Sequence, residues 1–170
     1  SAAVLGTTDA CVATNPSDMA VALAALDAIV ITRRPGHVVG HDTERRIPLT
    51  DFYRRPEKPE LETALERGEL ITAVELPAMV GAVKQTYLKV RDRASYEFAL
   101  ASVAAVVWMD GQSITSARLA LGGVATVPWR AADAEKLLAG KKADSALFRS
   151  VAEVALKDAK PLKYNAFKIE

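Results

Sequence analysis

Residues 14–26, TNPSDMAVALAAL, predict a helix with a well-defined start. Ser17 is a preferred N-cap residue, and the alanines and leucines that follow are strong helix formers. Asp18 falls in the first turn, where unpaired backbone N–H groups gather and a negative charge is stabilised. We therefore expect an apolar helix that begins near Ser17 and carries one carboxylate at its amino end.

The residues after this helix predict short strands joined by polar loops. β-branched residues at 28–32 favour a buried strand, and residues 33–46 form a polar excursion that contains glycine and proline. A capped helical turn is predicted at 50–53. Residues 70–76 favour another strand, which Pro77 would end because proline cannot donate a hydrogen bond to the ladder.

The second half has the more regular pattern of an antiparallel sheet. A half-exposed strand is predicted at 84–90, and two apolar runs at 98–109 and 114–121 favour two further strands. The residues Asp110-Gly111-Gln112 between these runs are typical of a hairpin turn. We therefore expect three antiparallel strands here.

Two helices are predicted after the strands. The first spans residues 131–139, and the second begins at Asp144 or Ser145 and runs to about residue 159. An antiparallel sheet that carries helices belongs to the α+β class. The predicted boundary between the two halves lies near residues 79–82.

The composition excludes several classes of protein. The 170 residues carry 22 basic and 21 acidic side chains, so the net charge of +1 gives no electrostatic case for binding nucleic acid. The longest uncharged apolar run, 98–109, is shorter than the roughly 20 residues that cross a bilayer, so no membrane insertion is expected. Cys11 is the only cysteine, which rules out an internal disulfide. These features predict a soluble globular chain.

Five segments follow one another in the order found in a known protein family. They are PSDMAVAL at 16–23, GELITAVELP at 68–77, YLKVR at 87–91, SY at 95–96 and LALGGVA at 119–125. With these segments the chain resembles the FAD-binding (medium) subunits of the molybdenum hydroxylases, which include xanthine dehydrogenase, carbon monoxide dehydrogenase and aldehyde oxidoreductases. The sequence DACVA at 9–13 is most similar to the aldehyde oxidoreductase branch.

The resemblance implies how the chain is organised. Residues 1–80 would be the C-terminal part of a FAD-binding α/β subdomain. Residues 81–170 would resemble the C-terminal domain of carbon monoxide dehydrogenase flavoprotein, a small domain with a three-stranded antiparallel sheet and two or more helices. The family's glycine-rich diphosphate-binding loops have no counterpart in these residues, and the chain starts without methionine. We therefore expect a fragment that shares FAD with a missing N-terminal half and is inactive alone.

By position, the resemblance implies three cofactor-binding residues and no catalytic or metal-binding residue. Asp18 would make a polar contact to FAD, Ile71 would pack beside it, and Lys89 would lie near it and favour its reduced form. Simpler interpretations remain open, since Asp18 could be an ordinary first-turn acid and Lys89 a solvated charge. Ile71 is expected to be buried in either case.

The function implied by the resemblance is electron transfer. Electrons from a substrate oxidised at molybdenum would pass through iron–sulfur clusters to FAD and then to an external acceptor. The implied partners are the molybdenum-cofactor subunit and the 2Fe-2S subunit of one bacterial complex, in the cytoplasm or co-exported to the periplasm. The alternative is a non-catalytic subunit-interaction domain without flavin. A small hydrolase is disfavoured because the sequence has no paired nucleophile and base.

Other polar residues have simpler explanations. His37 and His41 have the spacing of metal ligands only in a helix, and the glycines around them favour a loop. Cys11 has no histidine nearby in sequence and is expected to be a buried, unreactive thiol. Gly122-Gly123 lacks the spacing of a dinucleotide-binding turn, so we expect it to relieve crowding at the end of a strand.

Overall fold

The structure, a computed structural model, describes residues 2–34, 36, 43–81 and 83–169. The first half contains helix α1 (Asp18–Ala25), strands β1 (Ile29–Arg34) and β2 (Thr43–Pro48), helix α2 (Leu49–Phe52) and strand β3 (Leu70–Glu75). The second half contains strands β4 (Val83–Val90), β5 (Ala101–Asp110), β6 (Ser113–Gly122) and β7 (Trp129–Arg130), helix α3 (Ala132–Leu138), strand β8 (Lys141–Lys142) and helix α4 (Ser145–Ala155). Among the described residues, the helices are too short or too polar to cross a membrane.

Helix α1 begins where the sequence predicts. The Ser17 hydroxyl accepts a hydrogen bond from the backbone N–H of Ala20 at 3.1 Å, so it satisfies one of the unpaired donors of the first turn. Val21 and Ala24 are buried on the face that packs against the rest of the protein. The chain leaves the helix at Asp27, whose φ of +52° is tolerated because aspartate enters the left-handed region more readily than most residues.

The first sheet has three antiparallel strands in the order β2-β1-β3. The predicted strands at 28–32 and 70–76 are confirmed as β1 and β3. The prediction of a polar loop through residue 46 is wrong at its end, because β2 begins at Thr43. Hydropathy did not detect this strand since its charged side chains face solvent and pair across the sheet, with Arg46 2.8 Å from Glu75.

The second sheet contains the three predicted long strands. β4, β5 and β6 pair in sequence order as antiparallel neighbours, and the two-residue strands β7 and β8 extend the sheet along β6. The predicted hairpin lies between β5 and β6, where Gly111 has a φ of +58°. The α+β fold class is thus confirmed, as are the two helices that accompany this sheet.

Helix α4 is shorter than predicted. The Asp144 carboxylate caps it by accepting a hydrogen bond from the backbone N–H of Leu147 at 2.8 Å. The helix ends at Ala155 instead of running to residue 159, because the N–H of Ala159 bonds to the carbonyl of Leu156 three residues back. Residues 156–158 therefore form a turn after the helix.

Helix α1 packs on the second sheet, so the two halves of the chain share a hydrophobic core. Val21 and Ala24 of α1 belong to the same buried cluster as Ala104 on β5 and Ala120 on β6. At Gly122 a Cβ would lie 2.5 Å from Cγ2 of Val21, which confirms that this glycine relieves crowding at the strand end. The close approach fixes the position of α1 over the sheet.

Arg130 adds a polar link between the halves. Its guanidinium donates a 3.0 Å hydrogen bond to the Ala24 carbonyl at the end of α1 and also binds the carboxylates of Asp27 and Glu135. The side chain is 18% exposed. A cation that binds the last carbonyls of a helix also interacts favourably with the negative end of the helix dipole.

Candidate functional site

A cluster of three polar side chains lies where the amino end of α1 meets β4. The Tyr87 hydroxyl donates a 2.8 Å hydrogen bond to Oδ1 of Asp18, and the Lys89 ammonium donates a 2.7 Å hydrogen bond to Oδ2. Each carboxylate oxygen is therefore held by a different donor. We call Asp18, Tyr87 and Lys89 the carboxylate cluster.

The fold explains why these residues meet. Tyr87 and Lys89 are two positions apart on β4, so their side chains lie on the same face of the sheet. Tyr87 is paired with Ala104 and Lys89 with Ser102 on the neighbouring strand β5. Because α1 packs over this face, its first residue comes within reach of both side chains.

The cluster keeps Asp18 ionised. Burial alone would raise the pKa of the Asp18 carboxyl, but the hydrogen bonds from Lys89 and Tyr87 and the positive charges of Lys89 and Arg91 outweigh it, so the pKa is lowered. The Asp18 side chain is still 41% exposed. An ionised carboxylate only accepts hydrogen bonds, so its solvent-facing lone pairs can bind a donor on a ligand.

Tyr87 stays protonated and acts as a neutral donor. Burial, together with the hydrogen bond to Asp18 and the negative charge of Asp18, raises the pKa of Tyr87 to about 12. The nearby Ser102 hydroxyl opposes this rise, although its geometry falls short of a hydrogen bond. At neutral pH the phenol is protonated and can donate to the carboxylate.

Lys89 is fixed by two acceptors. Besides Asp18, its ammonium donates a 2.6 Å hydrogen bond to the backbone carbonyl of Glu97. The Glu97 carboxylate in turn accepts a hydrogen bond from the backbone N–H of Arg93 at 2.8 Å, which closes the loop after β4. An ammonium has three donors, so Lys89 can make one further bond beyond these two.

Ile71 lies in a different sheet from Lys89. It is on the edge strand β3, and its side chain is 49% exposed, so the prediction that it would be buried is wrong. All six residues of β3 are exposed, so neither face of this edge strand is covered by the described residues. The structure joins Asp18 to Lys89 directly and leaves Ile71 apart from them.

The remaining candidates contribute little. His37 and His41 lie outside the described residues, and within the described part of the chain no group of three or more potential ligands could hold a metal ion. Cys11 is half-buried and not fully buried as expected, and its Sγ accepts a 3.4 Å hydrogen bond from the N–H of Ala13. Tyr96 is 95% exposed, with a φ of +53°.

Two residues of the site were missed from the sequence. Tyr87 could have been found, since a residue two positions from Lys89 on a predicted strand shares its face. The role of Glu97 could not, because its carbonyl is placed by the conformation of a loop and any residue type supplies a carbonyl. A tyrosine two positions from a predicted site residue on a strand is therefore a useful signal.

The two parts of the chain match two family models. Residues 7–79 match the FAD binding domain in molybdopterin dehydrogenase, and residues 86–167 match the CO dehydrogenase flavoprotein C-terminal domain. The chain belongs to the FAD-binding subunit family of the molybdenum hydroxylases. The resemblance seen in the five sequence segments is thereby confirmed. Within the carboxylate cluster, Asp18 comes from the first matched segment of this flavoprotein family and Lys89 from the second.

Relatives of this flavoprotein chain point the same way. It is 49% identical over 98% of its length to the aldehyde oxidoreductase FAD-binding subunit PaoB of Escherichia coli, of which it covers 48%. It is 37% identical over 80% of its length to the glyceraldehyde dehydrogenase medium chain of Sulfolobus acidocaldarius, of which it covers 44%. The chain thus spans about half the length of these relatives.

A solved structure supports the fold. A chain of reconstituted CO dehydrogenase from Oligotropha carboxidovorans superposes with a TM-score of 0.73 at 26% identity, over 85% of this chain and 46% of that one. Because the family binds FAD, the cluster can be compared with that cofactor. An ionised acceptor, a cation and an exposed apolar strand fit a ligand with hydroxyl donors, negative charge and a flat apolar ring, which are features of FAD.

Proposed function

We propose that this chain forms one wall of the FAD site in a molybdenum hydroxylase-type oxidoreductase. The observation that carries the proposal is the contact between Asp18 and Lys89, because it joins the two segments matched by the flavoprotein models. FAD, when bound, supplies the redox chemistry that passes electrons from iron–sulfur clusters to an external acceptor. This chain would supply binding and orientation.

Each predicted residue has a distinct part in this proposal. Asp18 would accept a hydrogen bond from the cofactor through the lone pairs that Tyr87 and Lys89 leave open. Lys89 would present positive charge beside the cofactor. Ile71 and Leu70, which is 68% exposed, would supply apolar surface on β3 for the cofactor or for the rest of the subunit.

The organisation of the whole protein is also a proposal. Residues 1–80 would complete a FAD-binding subdomain and residues 81–170 would form the flavoprotein C-terminal domain, as the separate matches at 7–79 and 86–167 suggest. The molybdenum-cofactor subunit and the 2Fe-2S subunit of the same complex would be its partners. The complex would work in the bacterial cytoplasm, or in the periplasm after co-export.

Half of a cofactor site should bind weakly. Cofactor sites enclose most of the ligand's surface. If the whole subunit bound FAD with a nanomolar constant, about −12 kcal/mol, and this chain made half of the contacts, about −6 kcal/mol would remain, which corresponds to tens of micromolar. We therefore expect this chain to be colourless after purification and the whole subunit to be yellow.

The experiment is a titration of the whole apo-subunit with FAD, followed by flavin fluorescence. We expect Asp18→Asn to weaken binding by about 10- to 100-fold, because a hydrogen bond to a charged group contributes about 1.5–3 kcal/mol. Asp51→Asn is the matched control, since Asp51 is also a first-turn acid, in the short helix α2, and is exposed. A folded whole subunit that binds no flavin would support the alternative, a non-catalytic interaction domain.

A further inference from the structure

We propose that Tyr87 is a positioning residue of the flavin site, which fixes the Asp18 carboxylate so that its free lone pairs face the cofactor. The proposal rests on the proposed function, because it assigns a task to a residue that acts on FAD only through Asp18. The resemblance assigns roles to Asp18, Ile71 and Lys89 but none to Tyr87.

The Asp18 carboxylate is held at both of its oxygens. Tyr87 binds Oδ1 at 2.8 Å and Lys89 binds Oδ2 at 2.7 Å, so two donors on one strand hold the two oxygens separately. Together these donors restrain rotation of the carboxylate about its Cβ–Cγ bond more tightly than Lys89 alone would. A carboxylate has about four lone-pair positions, so about two remain for a ligand.

The sheet anchors the backbone of Tyr87, although the residue is 37% exposed. It lies on β4 in register with Ala104 of β5, a residue of the core on which α1 packs. Its side chain has only two χ angles, so little rotamer freedom is lost in keeping the hydroxyl in place. The raised pKa of the phenol, about 12, means that the donor keeps its proton throughout the physiological range.

The two donors to Asp18 have different roles, since one supplies positive charge and the other only a hydrogen bond. Lys89 supplies the positive charge next to Asp18, and Tyr87 adds a hydrogen bond without adding charge. Replacement by phenylalanine would keep the ring and its packing and would release only Oδ1. Asp18 would remain paired with Lys89, but it would lose one of the hydrogen bonds that lower its pKa.

The test compares Tyr87→Phe with wild type in the whole FAD-binding subunit, by titrating the apo-subunit with FAD at several pH values. We expect FAD binding to weaken about 3- to 10-fold at neutral pH. We also expect the loss of binding on acidification to begin at higher pH, because the pKa of Asp18 rises. Tyr164→Phe is the matched control, since it removes the hydroxyl of an exposed tyrosine outside the carboxylate cluster.

A double-mutant cycle separates positioning from a general structural effect. If Tyr87 acts through Asp18, Tyr87→Phe in an Asp18→Asn subunit should weaken FAD binding by less than about 1.5-fold further. The proposal would be overturned if Tyr87→Phe weakened FAD binding as much in the Asp18→Asn subunit as in wild type. It would also be overturned if Tyr87→Phe alone changed neither the FAD affinity nor its pH profile. If Asp18→Asn and Lys89→Met also leave the FAD affinity unchanged, the proposed function fails together with the role of Tyr87. If Asp18→Asn weakens FAD binding and Tyr87→Phe does not, only the role of Tyr87 fails.

Discussion

The ammonium of Lys89 lies 2.7 Å from the carboxylate of Asp18, although the two residues are 71 positions apart in sequence. The Lys89 side chain is 17% exposed and that of Asp18 is 41% exposed, so the pair borders on solvent. Because the Asp18 carboxylate is more than a third exposed, water screens the pair, which should contribute about 1 kcal/mol or less to stability. Removing either charge should therefore affect the binding and redox properties of FAD more than the folding of the protein.

The first prediction concerns the reduction potential of FAD in the whole subunit. Lys89→Met leaves the Asp18 carboxylate without its cation, so the potential should fall because negative charge on the reduced cofactor is less well stabilised. Asp18→Asn leaves the cation alone and should raise the potential. Each shift should correspond to about 1 kcal/mol, the Coulomb energy of nearby charges in water-like surroundings. Spectroelectrochemical titration measures both variants, and equal potentials in all three proteins would refute the role of Lys89.

The second prediction concerns the link between the halves of the chain. Arg130→Ala removes the hydrogen bond to the Ala24 carbonyl and leaves the partly buried Glu135 without its cation. We expect a loss of about 2–3 kcal/mol in the free energy of unfolding by urea. Lys136→Ala is the matched control, because its pair with Asp133 is exposed and should contribute less than about 0.5 kcal/mol. Equal losses of unfolding free energy in Arg130→Ala and Lys136→Ala would show that Arg130 does not link the two halves.

The third prediction concerns the close approach of α1 to β6. Gly122→Ala would place a methyl group 2.5 Å from Cγ2 of Val21, whose β-branched side chain cannot easily turn away. We expect destabilisation by about 1–3 kcal/mol, and weaker FAD binding because α1 carries Asp18. Adding Val21→Ala should restore part of the FAD affinity. Denaturation curves measure the stability, and titration of the whole subunit measures the FAD affinity. If Gly122→Ala changed neither, the position of α1 would not depend on its close approach to Gly122.

The fourth prediction concerns the titration of Tyr87. Its pKa of about 12 in the folded protein lies above the ordinary value of 10.0. Between pH 10 and pH 12 the folded protein therefore keeps a proton on Tyr87 that the unfolded protein loses. The stability that this tyrosine contributes is complete below pH 10 and is lost as pH rises through 12. The difference in tyrosinate absorbance between wild type and Tyr87→Phe, plotted against pH, gives the pKa of Tyr87. Each point is recorded after a rapid pH jump, before the protein unfolds. Asp18→Asn should lower it, and a value near 10 would contradict the hydrogen bond.

The sequence predicted the parts of the site that depend on local patterns. The cap at Ser17, the helix that carries Asp18 and the strand that carries Lys89 all follow from residue preferences and periodicity. The meeting of Asp18 with Lys89 depends on how α1 packs over the second sheet, and no local pattern reports such a contact. The family resemblance named both residues without saying that they touch.

The errors have physical causes as well. Ile71 is predicted to be buried whether or not it packs against FAD, yet β3 is an edge strand and all of its residues are exposed. β2 was missed because charged side chains that pair across a sheet replace the apolar alternation by which strands are recognised. Both errors concern the first sheet. There, aliphatic residues are exposed on β3 and charged residues form the strand β2, so hydropathy does not predict which residues are buried.

The most direct test of the FAD-site assignment is a crystal structure of the whole subunit with FAD bound. We predict that an oxygen of the Asp18 carboxylate accepts a hydrogen bond of about 2.7–3.2 Å from the cofactor while it keeps its contacts to Tyr87 and Lys89. A cofactor bound elsewhere, with solvent still occupying the open side of the carboxylate cluster, would contradict the account.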